Sequence, residues 1–187
     1  MANETDEQVA ERVQKGDSEA FGELIRRYQA KLLRYARKFL SDPEDAADVV
    51  QDIFIKAYQN ILSFDLTRRF SPWVYRIAHN EFVNALKKKQ ASRTVFSFDI
   101  DTLFPHLAAT DTADSATLER DLRATLETHL GKLDAKYREP LILYYLESMD
   151  YKEISDILQI PVSTVGVRLA RARTFLQQVA AKDKNLL

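Results

Sequence analysis

The chain has 187 residues, of which 45% are hydrophobic and 29% are charged, and its formal net charge is −1 at pH 7. This is the composition of an ordinary globular protein, and it excludes a disordered tail, a fibrous repeat and a uniformly basic nucleic-acid coat. The lack of cysteine excludes disulfides, thiolate catalysis and thiolate metal sites. With 4 glycines and 5 prolines, the chain is expected to be mostly helical.

Neither a membrane span nor a secretion signal is expected. The longest uncharged run covers the 11 residues 157–167, whereas a membrane span needs about 20. The first residues contain no apolar core of the kind that a signal peptide has. We therefore expect a cytoplasmic protein without membrane insertion.

Apolar residues recur at helical spacing before residue 90, which predicts four helices at residues 4–15, 17–40, 42–60 and 71–90. Gly16 is expected to end the first helix and Asp17 to cap the second. Asp42 followed by Pro43 is typical of a helix start, here that of the third helix.

Helical periodicity is lost over residues 91–117, where four aspartates stand against one arginine. An irregular segment of this length is uncommon inside one compact domain. We interpret it as a linker, with at most a short extended piece at 94–98. The chain is therefore predicted to be all-α, with two small helical domains at residues 1–90 and 118–187.

A helix-turn-helix pattern occupies residues 150–173. Asp150 and Glu153 have the spacing of a capping box, which predicts a short helix, and Pro161 is expected to start the next one. Residues 162–182 carry four basic residues and no acid. These features favour DNA binding by the second helix, and the alternative is a plain helical hairpin in a bundle core.

The second helix of this motif is expected to bury one row of side chains: Val165, Leu169, Ala172, Leu176 and Val179. Its outer side and edges supply the candidate contacts to duplex DNA, which are Ser163, Thr164, Val167, Arg168, Arg171 and Arg173. Arg171 is the main candidate for a bidentate guanine contact or a phosphate contact, whereas Arg168 and Arg173 are expected to hold phosphates.

Residues 64–93 form a basic segment with seven basic residues and two acids, a local net charge of +5. Aromatic residues are interleaved with the cations, which suits unstacked bases and phosphates. The candidate contacts to an opened strand are Arg68, Arg69, Arg76, Asn80 and Lys87. The alternative is structural: Trp73 and Ile77 fit a core better than a base platform, and the lysines fit a solvated helix end.

The third predicted helix has an acidic side opposite its apolar one. That side groups Asp45, Asp48, Gln51, Asp52 and Ile55. A solvated helix face explains the acids, but an apolar residue ringed by acids and glutamine also fits an interface with a basic protein partner.

Enzyme signatures are lacking in the sequence. The three histidines, His79, His106 and His129, have no ligand spacing. There is no phosphate-cradling glycine loop and no nucleophile elbow, and no cofactor or catalytic residue is predicted.

Four segments together resemble the bacterial extracytoplasmic-function, or group IV, sigma factors of RNA polymerase. Residues 13–21 resemble the opening of that family, and residues 42–58 resemble its region 2.2 helix. Residues 70–80 resemble the segment that melts promoter DNA, and residues 151–173 resemble the region 4 helix-turn-helix.

The resemblance implies a non-enzymatic subunit that binds the clamp helices and flap of core polymerase, recognises minus-ten and minus-thirty-five promoter elements, and stabilises the opened strand. It implies that the acidic side of the third helix binds polymerase and that the basic segment contacts the minus-ten element. It also implies an anti-sigma factor as a partner. Gly166, Val167 and Ala170 differ from the residue types commoner in the family, so few direct base contacts are expected at minus-thirty-five.

Two other classes remain open on the sequence. A helix-turn-helix regulator would bind duplex DNA without polymerase, but it needs neither the basic segment nor the acidic side. A helical adaptor would bind proteins only and would show no salt-dependent DNA affinity.

Overall fold

The computed structural model describes residues 4–40, 42–90, 130 and 133–184. Every regular element in these residues is helical, which confirms the all-α prediction. The chain divides into two compact units, at residues 1–94 and 95–187. The predicted linker at 91–117, its extended piece and the predicted start of the second domain at 118 lie outside the described residues.

The first unit begins with helix α1, Asp6–Gln14. Thr5 caps it in a capping box with Gln8, which is why it begins two residues later than predicted. Gly16 ends this helical region in a left-handed conformation, with φ of 103°, and Asp17 accepts a hydrogen bond from the amide of Ala20. The glycine stop is confirmed. The aspartate cap is shifted, because Asp17 caps the 3-10 turn Ser18–Ala20 and the second helix itself begins at Phe21 without a side-chain cap.

Helix α2, Phe21–Ala36, follows a short 3-10 turn. It ends four residues before the predicted Leu40, because the amides of Lys38 and Phe39 bond to carbonyls three residues back in a tighter turn. Helix α3, Pro43–Asn60, begins as predicted with Asp42 accepting a bond from the amide of Glu44. Its buried side lies opposite the acidic one, as predicted, and consists of Ala46, Val50, Ile53, Phe54 and Ala57.

Helix α4, Phe70–Gln90, packs on α3 and starts one residue before the predicted Ser71. Its buried side consists of Val74, Tyr75, Ala78 and Phe82. The ring of Tyr35 on α2 lies against the rings of Tyr75, at 5.3 Å, and Phe82, at 5.1 Å between centroids. This aromatic cluster holds α4 in place and leaves its opposite side facing solvent.

The second unit contains helix α5, Ala135–Leu141, which continues into a π-helical turn, Ile142–Leu146. Helix α6, Tyr151–Leu158, has the predicted capping box of Asp150 and Glu153. Gln159 then adopts the left-handed conformation, with φ of 55°, and turns the chain into the next helix.

Helix α7, Val162–Lys184, packs against α5 and α6. It begins at Val162, one residue after the predicted start at Pro161. The predicted row Val165, Leu169, Ala172 and Leu176 is buried, whereas Val179 is half-buried. None of the described helices is apolar over a stretch long enough to cross a membrane.

Candidate functional site

The acidic face of α3 consists of Asp45, Asp48, Gln51, Asp52 and Ile55. All except the half-buried Asp45 are exposed. Ile55 is 47% exposed although it is a large apolar residue, and it lies between carboxylates and amides. The five residues predicted as a contact surface are thus presented to solvent on one helix.

An apolar groove adjoins this face, between α2 and α3, with a volume of about 630 Å³. Ile25 and Leu33 of α2 line one side, while Phe54, Ile55 and Tyr58 of α3 line the other. Tyr58 is 46% exposed. The sequence prediction missed the groove, and the available signal was the unusually wide apolar stripe of α2.

The α3–α4 loop, residues 64–69, is closed at its base by two buried aromatic residues. The rings of Phe64 and Phe70 lie edge to face with centroids 5.4 Å apart. Inside the loop, one carboxylate oxygen of Asp65 accepts bonds from the amide and hydroxyl of Thr67, at 2.9 and 2.7 Å. These bonds, the hydroxyl's first, hold the pKa of Asp65 below its usual value.

The loop and the outer side of α4 carry the predicted strand contacts. Arg68 and Arg69 are exposed in the loop, and Arg76, Asn80 and Lys87 are exposed on α4. Arg76 and Asn80 are one turn apart in the half of α4 that adjoins the loop, while Lys87 is about 10 Å further along the axis. Cations and an amide are therefore brought together near the start of α4.

The indole of Trp73 contributes to the base of the loop rather than standing apart from it. It is half-buried, and its ring lies 5.2 Å from that of Phe64 and 5.4 Å from that of Phe70. Ile77 is half-buried as well. Trp73 thus packs against the loop's base, as the structural interpretation of the sequence expected.

The predicted DNA side of α7 is partly exposed. Ser163 is exposed, and Thr164, Val167, Arg168 and Arg171 are half-buried. The hydroxyl of Thr174 donates to the carbonyl of Ala170 within the same helix. A side chain at Gly166 would place its Cβ at an ordinary contact distance, 3.6 Å, from the ring of Tyr151.

Arg173 packs against aromatic residues of the second unit. Its guanidinium lies over the rings of Tyr144 and Tyr145, and it donates to the hydroxyl of Tyr151 at 3.4 Å. This packing gives the side chain a place inside the second unit and favours a structural role for Arg173 over the phosphate contact predicted from the sequence.

No group of three or more histidine, aspartate or glutamate residues is placed to hold a metal ion within the described part of the chain. The geometry instead offers three surfaces: an acidic helix face beside an apolar groove, a basic loop and helix, and a helix-turn-helix. Each corresponds to one of the surfaces predicted from the sequence.

Comparison with known proteins gives two family matches. The family Sigma-70 region 2 matches residues 24–92, and Sigma-70, region 4 matches residues 123–176. The chain is 34% identical over 171 residues to the ECF RNA polymerase sigma factor SigW of Bacillus subtilis, covering 89% of this chain and 91% of the relative. It is 35% identical over 176 residues to the ECF RNA polymerase sigma-E factor of Escherichia coli K12, covering 90% and 91%.

Solved structures show a similar fold. The structure of CnrH in complex with the cytosolic domain of CnrY is 29% identical, with a TM-score of 0.67, and the match covers 96% of this chain and 99% of that one. The sigma factor RpoE in complex with the anti-sigma factor NepR from Bartonella quintana is 24% identical, with a TM-score of 0.62, over 86% and 96% of the chains.

Proposed function

The chain belongs to the ECF RNA polymerase sigma factors, which direct promoter-specific transcription initiation, and from this premise we propose which of its surfaces binds polymerase and which bind DNA. Residues 1–90 are assigned to region 2, 91–117 to the linker and 118–187 to region 4. The observation that carries the assignment is that each of the three surfaces lies in or beside a matched region, at residues 24–92 or 123–176.

The acidic face of α3 is assigned to core polymerase. Asp48 and Asp52 are exposed and would attract a basic partner, which raises the association rate more than the final affinity. Ile55 and Tyr58 continue this face into the apolar groove. A helical partner with a basic flank, such as the polymerase clamp helices, would bury the exposed apolar residues and leave the acids at the rim.

The α3–α4 loop and the outer side of α4 are assigned to the minus-ten element. The exposed cations Arg68, Arg69, Arg76 and Lys87 can hold phosphates of a single strand, where binding needs charge along the backbone. Asn80 presents both a donor and an acceptor and can therefore read a base edge. A base that has left the duplex stack needs such a pocket, because unstacking costs a few kcal/mol.

Helix α7 is assigned to the minus-thirty-five element. Ser163, Thr164 and Val167 lie near its start, where a recognition helix of this motif contacts base edges. Arg168 and Arg171 supply charge one and two turns further on. With two small residues, Gly166 and Ala170, on this helix, part of the preference is expected to come from DNA shape.

The remaining partners follow from the same assignment. Core polymerase supplies the chemistry of RNA synthesis, so we propose that the chain is not an enzyme and uses no cofactor. We also propose that it acts in the cytoplasm. Region 4 is proposed to bind the polymerase flap. Since CnrH is found with the cytosolic domain of CnrY and RpoE with an anti-sigma factor, an anti-sigma factor is proposed as the regulator of this chain.

Run-off transcription with purified core polymerase, with and without the chain, tests this function. Transcripts from defined start sites that depend on the chain support it. Binding of the chain to duplex promoter DNA with no effect on polymerase would instead indicate a helix-turn-helix regulator. The match of Sigma-70 region 2 to residues 24–92 argues against that class.

A further inference from the structure

Helix α1 lies before the residues matched by Sigma-70 region 2, which begin at 24, yet two of its side chains reach the α3–α4 loop. We propose that α1 is a clasp that holds this loop in its strand-binding shape, and that Gln14 and Glu7 are the positioning residues. The inference rests on the proposed contact between the loop and the minus-ten strand.

Gln14 holds the incoming end of the loop. Its side-chain amide donates to the carbonyl of Ile61, at 2.7 Å, and to the carbonyl of Phe64, at 2.8 Å. A carboxamide has two N–H groups, so one glutamine satisfies both carbonyls at once. A 3-10 turn, Ile61–Ser63, follows α3, and within it the carbonyl of Ile61 also accepts a bond of 3.1 Å from the amide of Phe64. The two bonds from Gln14 therefore tie this turn and the start of the loop to α1.

Glu7 holds the outgoing end of the loop. Its carboxylate accepts a bond of 2.9 Å from the amide of Phe70, the first residue of α4. The first amides of a helix lack partners within it, and the helix dipole makes that end favourable for an anion. Glu7 thus caps the helix that carries Arg76 and Asn80, from a position 63 residues away in sequence.

The two positioning residues, Glu7 and Gln14, are spaced on α1 so that each can reach one end of the loop. Seven residues separate Glu7 from Gln14, which is two helical turns and about 10 Å, so both lie on the same side of α1. Only the five residues 65–69 lie between the carbonyl of Phe64 and the amide of Phe70 that they hold. The loop is therefore fixed at entry and exit, and Asp65 with Thr67 orders it inside.

Helix α1 is itself fastened to the body of the unit. Val9, Ala10 and Val13 are buried. Asp6 forms an ion pair of 2.7 Å with Arg27 and accepts a hydrogen bond from the hydroxyl of Tyr28 on α2. Because the loop is held by an anchored helix, its cations need little further ordering when a strand binds, and this raises affinity and sharpens the discrimination between bases.

The test uses the full chain assembled with core polymerase. Gln14→Leu removes both donors while keeping size and helix propensity, and Glu7→Ala removes the cap. Glu11→Ala is the matched control, since Glu11 lies on the same helix and forms an ion pair with the exposed Lys15. Binding to core, opening of the promoter and binding to single-stranded minus-ten oligonucleotides with each base substituted are measured for all three variants.

We expect Gln14→Leu to bind core polymerase with unchanged affinity and to bind the preferred oligonucleotide about tenfold more weakly, as two lost hydrogen bonds imply. Binding to the substituted oligonucleotides should fall much less, so the preference between bases flattens. Glu7→Ala should show the same pattern to a smaller extent, and Glu11→Ala should match the wild type. A loss of oligonucleotide binding without a loss of core binding indicates that Gln14 and Glu7 position the loop. A general folding defect would weaken core binding as well.

Unchanged discrimination in both Gln14→Leu and Glu7→Ala overturns the clasp, and so does a parallel loss of core binding in both. If Gln14→Leu alone fails to fold, Glu7→Ala decides by the same criterion. If the wild-type holoenzyme opens no promoter and prefers no oligonucleotide, the proposed function fails instead, and the two failures are thus distinguishable.

Discussion

The guanidinium of Arg173 lies over the ring of Tyr144, with its central carbon 5.6 Å from the ring centroid. A second tyrosine ring, that of Tyr145, lies at 5.7 Å. A cation held over aromatic rings in a partly buried place contributes about 1–2 kcal/mol to stability. This interaction joins α7 to the π-helical turn and fixes the helix that presents Arg168 and Arg171.

Replacing Arg173 by alanine should therefore lower the stability of the second unit by about 1–2 kcal/mol. Hydrogen exchange of the α7 amides in the full chain measures this change. The salt dependence of duplex binding should stay near that of the wild type. We expect Arg173→Ala to speed hydrogen exchange and to leave the salt dependence of duplex binding unchanged. Unchanged exchange, together with a salt-dependence slope lowered by about 1, would instead show that Arg173 contacts a phosphate.

Reversing two charges on the acidic face should weaken assembly with core polymerase. Asp48→Lys combined with Asp52→Lys is expected to slow association and to change its salt dependence, because rim charges act mainly on encounter. Surface-based binding kinetics at several salt concentrations measure both. The control combines Glu4→Lys with Glu19→Lys, which changes the net charge equally at exposed positions of the same unit outside α3. Equal kinetics for a folded double variant and the wild type would remove this face from the interface.

Asn80→Ala should keep core binding and lose open complexes. The reason is that the carboxamide can pair with the edge of an unstacked base, whereas alanine cannot compensate for unstacking. Permanganate footprinting of the opened strand reports the outcome. Asn84→Ala, one turn further along the exposed side of α4, is the matched control and should open promoters normally. Equal footprints for Asn80→Ala and the wild type would rule out the role of Asn80.

Arg171 and Arg168 should differ in what their loss does to duplex binding. Arg171→Ala is expected to cost about 1–3 kcal/mol at the preferred minus-thirty-five site and less elsewhere. Arg168→Ala should weaken all sequences alike and lower the salt slope by about 1. A panel of duplexes titrated at several salt concentrations separates the two. A uniform loss in Arg171→Ala would show that Arg171 also holds phosphate.

Local signals in the sequence predict where the helices begin. Asp42 and Asp150 cap as expected, because a cap depends only on residues within one turn. Asp17 caps a 3-10 turn before α2 rather than α2 itself. The end of α2 was predicted less well. Phe39 and Leu40 continue the apolar pattern and still pack against the core, although the backbone has already left the α-helix at Ala36. The apolar periodicity of the sequence therefore continues past the end of the helix, because the residues that follow it are also packed against the core.

Contacts between distant elements could not be predicted from periodicity. Gln14 bonds to carbonyls 47 and 50 residues away, and nothing in its own helix distinguishes it from a solvated glutamine. Arg173 falls at the edge of the projected helix face, where a phosphate contact and a tyrosine contact are equally allowed. The complete burial of Tyr75 in the aromatic cluster depends on its contact with Tyr35 of another helix and could not be predicted for the same reason.

The most direct test of the function is transcription of a library of promoter fragments by purified core polymerase, with and without the chain. The 5′ ends of the transcripts from both reactions are sequenced. The chain should create start sites that are absent from the core-only reaction and that share two elements, one near minus-ten and one near minus-thirty-five. The same start sites with and without the chain, at concentrations where the chain is bound to core, would contradict its role in promoter selection.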